Sequence, residues 1–358
     1  MAKKVMIGMS GGVDSSVAAA ILLEQGYEVI GATLKLRQNN LYTDIQGGCC
    51  SIDDVDDAKR VAFKLGIPHY TFNFTDIFTK EVIDRFVSEY TSGRTPNPCI
   101  FCNQYIKFSA MLAKALTLDI NYIATGHYAK IEQRVSDGRW LLKKSPAAKD
   151  QSYVLYNLTQ FQLEHTLFPL YNLSKDEIRE KAAKLNLPVA NKPDSQEICF
   201  IPDNNYAEFI EQYSGKKSPP GDFIDINGNI LGKHQGITKY TVGQRKGLGI
   251  AFGKPMFVVK LLPETNQVVL GESGSEYSSE LIADNINIIA YDKITEPIKC
   301  TAKVRYLAKP AQCLVTPIDN NRIKVQFDNL QRAVTPGQAV VLYDNDIVIG
   351  GGRIISAN

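Results

Sequence analysis

The fold is decided by the stretch KKVMIGMSGGVDSSVAAA at residues 3–20. Lys3–Met9 is a short apolar strand, and Asp14–Gln25 carries apolar residues at helical spacing. Gly11 and Gly12 allow a tight turn between the strand and the helix. Backbone amides at the start of a helix, together with the positive end of its dipole, face any anion held in such a turn. The stretch therefore predicts a strand, a phosphate-binding loop and a helix.

The side chains of this loop fit a phosphate ligand. Ser10 and Ser15 add hydroxyl donors, and Asp14 either holds Mg²⁺ or caps the helix. A tight turn with an Asp or Ser cap is the alternative without a ligand, but the strand–loop–helix order favours the phosphate site. The chain contains neither G-x-x-x-x-G-K-[ST] nor G-x-G-x-x-G, so the usual γ-phosphate and dinucleotide motifs are excluded.

The first half of the chain continues to alternate strands and helices. Further strands are predicted at Glu28–Leu36, His69–Phe74 and Asn121–Thr125, and further helices at Asp53–Leu65, Asp76–Tyr90, Asn103–Leu116 and Ser174–Asn186. This order predicts an α/β fold, a doubly wound parallel sheet that binds ligands at the carboxyl ends of its strands. Gly31–Lys35 and Ala124–Tyr128 end strands and should lie beside the loop. His127, taken alone, is more readily a structural histidine than a ligand.

The composition changes after about residue 205, where Gly, Asn, Pro and β-branched residues increase and short strand-like runs such as Arg322–Phe327 appear. We predict three domains: a catalytic domain at 1–205, a small, mostly β central domain at 206–275, and a C-terminal β-barrel at 276–358.

The composition also excludes several classes of protein. The chain has 358 residues, 44% of them hydrophobic and 22% charged, which is ordinary for a soluble globular protein. No apolar run is long enough to span a membrane, and the N-terminus lacks a signal-peptide layout. Seven cysteines are an odd number, and without an export signal they indicate cytosolic thiols. We therefore expect a cytoplasmic protein without a membrane partner.

Charge is balanced overall but clustered locally. The net charge is +2, from 40 Lys and Arg against 38 Asp and Glu. Residues 226–263 and 299–309 contain no acid. Their basic residues are Lys233, Lys239, Arg245, Lys246, Lys254 and Lys260 in the first run, and Lys299, Lys303, Arg305 and Lys309 in the second. A solvated basic face explains either run alone, whereas two runs favour a polyanionic partner.

Two cysteine segments are candidates for chemistry. Cys99 and Cys102 form a C-x-x-C after two prolines, and Cys102 lies near the start of a predicted helix, where the dipole lowers a thiol pKa. Reactive thiols, half a metal site and coincidence all remain open for this pair, because one pair cannot close a tetrahedral site. Cys199 lies among Ile198, Phe200 and Ile201, and alone would be interpreted as a buried core cysteine. Cys49, Cys50, Cys300 and Cys313 are assigned no chemistry.

The string SGGVDS at 10–15 resembles the loop of the ATP-pyrophosphatase (PP-loop) family, which cleaves ATP between its α and β phosphates and adenylates a carbonyl-type oxygen. Further strings resemble one branch of that family, the tRNA-specific 2-thiouridylases, over essentially the whole chain. They are GMSGGVDSSVAA (8–19), GRTPNPCIFCNQYIKF (93–108), ATGHYA (124–129), KDQSY (149–153), DSQEICFI (194–201), HQGITKYTVGQRKGLGI (234–250), VRY (304–306) and TPGQ (335–338).

The resemblance implies a set of binding residues for ATP and tRNA. The ATP-binding residues would be Gly8, Met9, Ser10, Gly11, Gly12, Val13, Asp14, Ser15, Leu34 and Gly126, with Mg²⁺ as the accompanying ion. The family usually has Met where Leu34 stands, which a main-chain contact tolerates. The residues facing tRNA would be Asn97, Pro98, Cys99, His127, Lys149, Asp150, Gln151, Arg305, Tyr306 and Gln338. Asn97–Cys99 would face the target base.

The resemblance also implies a reaction. The wobble uridine of a tRNA anticodon is flipped into the site, as chemistry on a base requires. ATP adenylates the 2-carbonyl oxygen, and a persulfide on Cys199 attacks the activated carbon. Cys102 acts as the second thiol, either releasing sulfide or forming a Cys102–Cys199 disulfide. The products are 2-thiouridine, AMP and pyrophosphate. The sulfur comes from a persulfide donor, a cysteine desulfurase or a sulfur relay protein.

Three alternatives stay open. Some relatives carry Asp where this chain has Cys99, and Cys99, Cys102 and Cys199 together are enough thiolates for a 4Fe–4S cluster with one open iron. We favour the persulfide route over the cluster. A small-molecule adenylating synthetase would make AMP without RNA and would not need the cysteines. A nucleotide-sensing RNA-binding protein would bind ATP without turnover.

Overall fold

A computed structural model describes residues 2–37, 52–147, 149–193, 198–201, 205–250 and 253–358. The chain forms two compact units. The first contains Met1–Ile83, Pro98–Pro202 and Asp346–Val348, and the second contains Asp84–Asn97, Asp203–Asn345 and Ile349–Asn358. The segment Asp84–Asn97 therefore belongs with the C-terminal half of the chain, although it lies early in the sequence.

A parallel sheet organises the first unit. The strands up to residue 200 are β1 (Lys4–Gly8), β2 (Glu28–Lys35), β3 (His69–Asn73), β4 (Tyr122–Ala124), β5 (Ala129–Gln133), β6 (Trp140–Lys144) and β7 (Thr166–Leu167). The sheet has the order β3-β2-β1-β4-β7, and every neighbouring pair is parallel. β5 and β6 form an antiparallel hairpin that is not part of this parallel sheet. The strand order reverses between β1 and β4, which is where open α/β sheets bind ligands.

Helices alternate with these strands. Those before residue 200 are α1 (Val13–Glu24), α2 (Ile52–Leu65), α3 (Thr75–Phe78), α4 (Arg85–Thr91), α5 (Pro98–Phe101), α6 (Met111–Leu116), α7 (Gln160–Glu164) and α8 (Lys175–Lys184). Wider π-helical turns at Thr79–Asp84 and Cys102–Ala110 join α3 to α4 and α5 to α6. The predicted alternation of strands and helices is confirmed.

The apolar faces of these elements explain the packing of the sheet. Val5 and Ile7 of β1 pack with Val17 and Leu22 of α1 in one buried cluster. Burying such side chains contributes about 1.5–3 kcal/mol each. Ser174 begins α8 with a reciprocal capping box to Glu177, which satisfies two otherwise unpaired backbone and side-chain donors.

The second unit contains a small β region at residues 206–272. Its elements are α9 (Tyr206–Ser214), β8 (Gly221–Asp225), β9 (Ile230–His234), β10 (Met256–Leu262) and β11 (Gln267–Glu272). The strands form a sheet in the order β10-β11-β8-β9 around the buried side chains of Phe223, Val258 and Leu270. The expectation of a mostly β central region is confirmed, with one helix at its start.

The C-terminal strands close into a barrel, as predicted. They are β12 (Tyr277–Ile288), β13 (Ile298–Lys303), β14 (Ala311–Pro317), β15 (Ile323–Arg332), β16 (Ala339–Asp344) and β17 (Ile347–Ala357). The order is β12-β15-β14-β13-β16-β17, and β12 pairs with β17 as well as with β15, which closes the ring. Closure removes the unpaired strand edges of an open sheet.

Within the residues that the structure describes, no helix combines the length and the apolar character needed to cross a membrane.

Candidate active site

The loop predicted to bind phosphate lies where the strand order reverses. Gly8 ends β1, Leu34 is half-buried at the next-to-last position of β2, and Gly126 follows β4 by two residues. Because β1, β2 and β4 are parallel, these three residues and the loop after β1 share the carboxyl edge of the sheet. The structure therefore brings Gly8, Leu34 and Gly126 to one edge, as the sequence predicts, and their roles in ATP binding stay predictions.

Two glycines allow the close approach of backbone at this edge. Gly11 has a φ of +70°, and a Cβ there would lie 2.3 Å from the Asp54 carbonyl oxygen. A Cβ on Gly126 would lie 2.8 Å from the Ser15 amide nitrogen. Neither position accepts a side chain without displacing backbone. The turn after β4 is thus packed directly against the start of α1.

The interior of the loop is held by its own hydroxyl groups. The Ser10 amide donates to Ser15 Oγ at 3.2 Å, and Ser15 Oγ donates to the Gly12 carbonyl at 3.1 Å. Met9 and Val13 are buried in the core, whereas Ser10 is exposed. The loop therefore presents Ser10 and backbone, rather than apolar side chains, to a ligand.

Asp14 does not cap the helix, so that part of the sequence-based prediction is wrong. The N-cap of α1 is Gly12, and no side chain caps it. Asp14 is instead the second helical residue, and its carboxylate accepts hydrogen bonds from groups on three other parts of the unit. Tyr128 Oη donates to Oδ1 at 2.8 Å, Lys175 Nζ to Oδ1 at 2.6 Å and Lys149 Nζ to Oδ2 at 3.4 Å.

Two ammonium groups and one carboxylate meet in this cluster. The side chains of Lys149, Lys175 and Asp14 are 36%, 22% and 24% exposed, so an incoming anion can reach them. Lys149 also lies over the ring of Tyr128, 5.2 Å from its centroid, which orients the ammonium group. Two lysines beside a loop of backbone amides are suited to binding a polyphosphate.

Three of the predicted tRNA contacts have structural partners within the first unit. Gln151 Oε1 accepts from the Tyr128 amide at 3.0 Å, and Asp150 accepts from Ser152 Oγ at 2.8 Å. His127 is 8% exposed and bonded to Thr125 Oγ1 at 2.7 Å. The side chains of these residues shape the segment that carries Tyr128 and Lys149. Their predicted contacts with RNA are not tested by this geometry.

His127 is a neutral, packed histidine. Its ring lies 5.8 Å from that of Phe108 and 5.9 Å from that of Phe168. Burial, and secondarily the charge of Lys107, lowers the pKa of His127 well below its usual value. The interpretation of His127 as a structural histidine agrees with this environment.

The three candidate cysteines differ in exposure. Cys99 lies in the first turn of α5 and is exposed, Cys102 begins the π-helical turn and is buried, and Cys199 is half-buried. Phe200 and Ile201 beside Cys199 are buried, and Phe200 packs edge-on against Phe78. The interpretation of Cys199 as a buried core residue is therefore wrong. Cys49, Cys50 and residues 194–197 lie outside the described residues.

The described residues give no support for a metal cluster on the cysteines. Among the described residues, which include Cys99, Cys102 and Cys199, no three His, Cys, Asp or Glu side chains are grouped as metal ligands. A 4Fe–4S cluster on these thiols would need at least three of them together. Mg²⁺ needs fewer protein ligands, since it commonly binds through one or two carboxylates plus substrate phosphates. Asp14 supplies one such carboxylate at the loop.

Of the other predicted tRNA contacts, Pro98, Cys99 and Lys149 lie in the first unit, and Asn97, Arg305, Tyr306 and Gln338 lie in the second. Arg305 is exposed and donates to the Arg332 carbonyl at 3.2 Å, and Tyr306 lies beneath the ammonium group of Lys303. Gln338 and Asn97 are half-buried, and Gln338 Nε2 donates to the Thr95 carbonyl at 2.9 Å. Arg305 and Tyr306 thus lie on an accessible part of the barrel, whereas Gln338 is engaged by the chain itself.

Comparison with known proteins covers the whole chain. Residues 3–203 match a family model described as the tRNA methyl transferase HUP domain. Residues 207–272 match the tRNA methyl transferase PRC-barrel domain, and residues 278–354 match the aminomethyltransferase beta-barrel domain.

Curated relatives extend this match at high identity. The tRNA-specific 2-thiouridylase MnmA of Acetivibrio thermocellus is 59% identical over 98% of this chain and 99% of its own. The proteins of that name from Clostridioides difficile and Caldicellulosiruptor saccharolyticus are 56% and 57% identical, over 99% and 100% of this chain and 98% and 99% of theirs. The chain belongs to the tRNA-specific 2-thiouridylase family. The sequence-based recognition of this 2-thiouridylase family is confirmed.

Two residues of the site in this 2-thiouridylase were missed by sequence reasoning. Tyr128 lay inside the quoted ATGHYA string, but only the histidine and the glycine there were considered. Lys175 directly follows the predicted cap at Ser174, and only its position distinguishes it from other surface lysines. A lysine in the first helical turn, where acids are preferred, was the available signal.

Proposed function

We propose that this protein uses ATP to convert the wobble uridine of a tRNA anticodon to 2-thiouridine, releasing AMP and pyrophosphate. The observation that carries the proposal is the cluster of Lys149 and Lys175 around Asp14, beside the glycine loop, in a member of the 2-thiouridylase family. Such a site suits the departing pyrophosphate. The tRNA acceptor is supported by the relatives, which are tRNA-specific 2-thiouridylases.

Each residue of the cluster has a role in this proposal. The amides at the start of α1 and Ser10 bind the β and γ phosphates, and the two lysines neutralise the charge that develops on pyrophosphate as it leaves. Asp14 holds both ammonium groups and the Tyr128 hydroxyl in place until ATP arrives. Asp14 is also the carboxylate that would hold Mg²⁺, which supplies charge neutralisation on the phosphates. Gly126 and Leu34 would face adenine through their backbone.

The sulfur chemistry is proposed to use two thiols. A donor, a cysteine desulfurase or a sulfur relay protein, leaves a persulfide on Cys199. Its terminal sulfur attacks the adenylated C2, a C–S bond forms and AMP leaves. The Cys102 thiol then attacks Cys199 Sγ, so that a Cys102–Cys199 disulfide forms, one proton is released and 2-thiouridine departs. The persulfide sulfur is reduced and the two cysteines are oxidised, and an external thiol reductant restores them.

The test uses the purified full chain with Mg-ATP, unmodified tRNA and a persulfide donor. We expect AMP and 2-thiouridine to form only when tRNA is present, measured by nucleotide chromatography and nucleoside mass spectrometry. Cys199→Ala should abolish 2-thiouridine but leave tRNA-dependent AMP formation, because adenylation precedes sulfur transfer. AMP formation without RNA would instead indicate a small-molecule adenylating enzyme.

Cys99→Ala separates the two-thiol route from three-thiolate chemistry, since it removes an exposed thiol three residues from Cys102. At saturating tRNA, which offsets the loss of the base contact expected of Cys99, we expect thiolation to continue, because the persulfide route uses only Cys102 and Cys199. Loss of thiolation in Cys99→Ala as complete as in Cys199→Ala would contradict the two-thiol route and favour three-thiolate chemistry.

A further inference from the structure

The segment of residues 93–97 precedes the cysteine-bearing helix and is held by the second unit. It continues from α4 and leads directly into Pro98, the first residue of α5. Asp84–Asn97 groups with the barrel rather than with the sheet that surrounds the loop. Its last residue, Asn97, is among those expected to face the target base.

Backbone hydrogen bonds attach the segment to the turn before β16. The Thr95 amide donates to the Pro336 carbonyl at 2.9 Å, and the Thr95 carbonyl accepts from Gln338 Nε2 at 2.9 Å. That turn is itself fixed to β17, since the Gly337 amide donates to the Ile354 carbonyl and the Ile354 amide to the Gln338 carbonyl, both at 2.8 Å. Both polar backbone groups of Thr95 are therefore bound to the turn before β16, which is hydrogen-bonded to β17.

Gly337 makes this approach possible. Its φ is +93°, and a Cβ there would lie 2.8 Å from the Thr95 amide nitrogen and 3.0 Å from Arg94 Cβ. The TPGQ string is thus explained by contact with the 93–97 segment. Any residue other than glycine at this position would push the segment away.

A buried carboxylate makes a second attachment. Glu89 is 8% exposed and accepts two hydrogen bonds from Arg94, at 2.6 and 2.9 Å. Arg353 Nη1 donates to Glu89 at 3.3 Å, and Arg353 also forms a bidentate pair with Asp284 on the neighbouring strand. A buried acid held between two arginines cannot contact an RNA phosphate favourably, so its role is internal.

We propose that Glu89, Arg353 and Gln338 are positioning residues for thiolation, which act by fixing the 93–97 segment and so the place of Asn97. This inference rests on the proposed function. Gln338 acts through Thr95, because its amide nitrogen already donates to that carbonyl.

The test compares Glu89→Gln and Gln338→Ala with a matched control, Glu276→Gln. Glu276 is likewise a buried acid of the second unit, 4% exposed and paired with Arg332 at 3.2 Å, and its hydrogen-bond partners Gly274, Arg332 and Ala333 lie outside the 93–97 segment. We expect kcat for thiolation to fall about tenfold in Gln338→Ala and about a hundredfold in Glu89→Gln, because a displacement near 1 Å suffices for such losses. KM and Kd for tRNA should change less than about twofold, because Glu89 and Gln338 then act through the 93–97 segment and not through the tRNA contact that the resemblance implies for Gln338. Glu276→Gln should retain the wild-type kcat.

Trypsin supplies a readout independent of activity. Arg94 precedes Thr95, and cleavage of that bond requires the Arg94 side chain and the backbone on both sides to be released. Mass spectrometry should show cleavage after Arg94 at least about fivefold faster in both variants than in the wild type and in Glu276→Gln, because buried backbone resists proteolysis until it opens.

The outcomes separate this inference from the proposed function. A wild type that does not thiolate tRNA contradicts the proposed function and this inference with it. If the wild type thiolates and both variants keep its kcat, only the inference fails. A raised Kd for tRNA at unchanged kcat in Gln338→Ala also overturns it, because Gln338 would then be an RNA contact.

Discussion

The Asp14 carboxylate shows how one residue organises a site that binds anions. A lone acid at a phosphate loop would repel ATP, but here the ammonium groups of Lys149 and Lys175 both contact its carboxylate. The two lysines come from segments 26 residues apart, and both converge on the same carboxylate. When a polyphosphate binds, the two lysines can exchange their hydrogen bonds to Asp14 for hydrogen bonds to phosphate oxygens.

Lys175→Met tests this arrangement, since it keeps the aliphatic stem and removes the ammonium group. We expect kcat/KM for ATP to fall about ten- to a hundredfold, because a hydrogen bond to a charged group contributes about 1.5–3 kcal/mol. The rate of AMP formation in the presence of saturating tRNA measures this.

Lys181→Met on the same helix is the control for that substitution. Lys181 pairs with Glu24 at 2.7 Å, away from the loop, and its replacement should leave kcat/KM for ATP unchanged. Equal kinetics in Lys175→Met and Lys181→Met would remove Lys175 from the phosphate site.

His127 predicts a dependence of stability on pH. Burial lowers its pKa in the folded chain, so the unfolded chain binds a proton that the folded chain does not. The contribution of His127 to stability is therefore present above about pH 6.5 and is lost as the pH falls below it. His69 and His234 also have lowered pKa values and add to the same trend.

His127→Gln should reduce this acid sensitivity. Between about pH 7 and 5.5 we expect the variant to lose about 1 kcal/mol less unfolding free energy than the wild type. Urea unfolding can be followed through Trp140, the single tryptophan, which lies on β6 in the same unit. If the unfolding free energies of the two proteins fall in parallel with pH, His127 has the same pKa in the folded and the unfolded chain.

At the scale of elements, the sequence predicted what depends on local pattern. The glycine loop between β1 and α1 was predictable because a strand, two glycines and a helix follow one another without a gap. The capping box at Ser174 was predictable for the same reason. Both need only neighbours within a few residues.

Elements that depend on distant contacts were predicted less well. The helix expected to begin at Asn103 begins earlier, at Pro98. Proline is accepted at the first helical position, but the two prolines in this stretch had suggested a loop. No residue pattern in the sequence predicted the π-helical turn at Cys102–Ala110. Lys175 could not be assigned to the site, because only the packing of α8 against α1 brings it to Asp14.

At the scale of the whole molecule, acids on neighbouring strands pair with some of the basic residues in the two acid-free runs. The run at 226–263 contains no acid, yet Lys233 pairs with Asp222 at 2.7 Å and Lys254 pairs with Glu272. Acids on neighbouring strands thus neutralise some of the charge that counting along the chain suggested was available. Arg305 in the second run is exposed, and its guanidinium donates to a neutral backbone carbonyl instead of an acid.

This difference predicts which cations contribute to tRNA binding. Arg305→Gln should weaken tRNA binding and reduce the slope of log Kd against log salt by about 0.9, the value for loss of one phosphate contact. Filter binding between about 50 and 200 mM salt measures the slope. Lys254→Gln removes an equal charge that Glu272 already neutralises, so its slope should match the wild type. If the two variants change the slope equally, tRNA binding depends on the net charge of the second unit. The prediction that Arg305 contacts a phosphate would then be wrong.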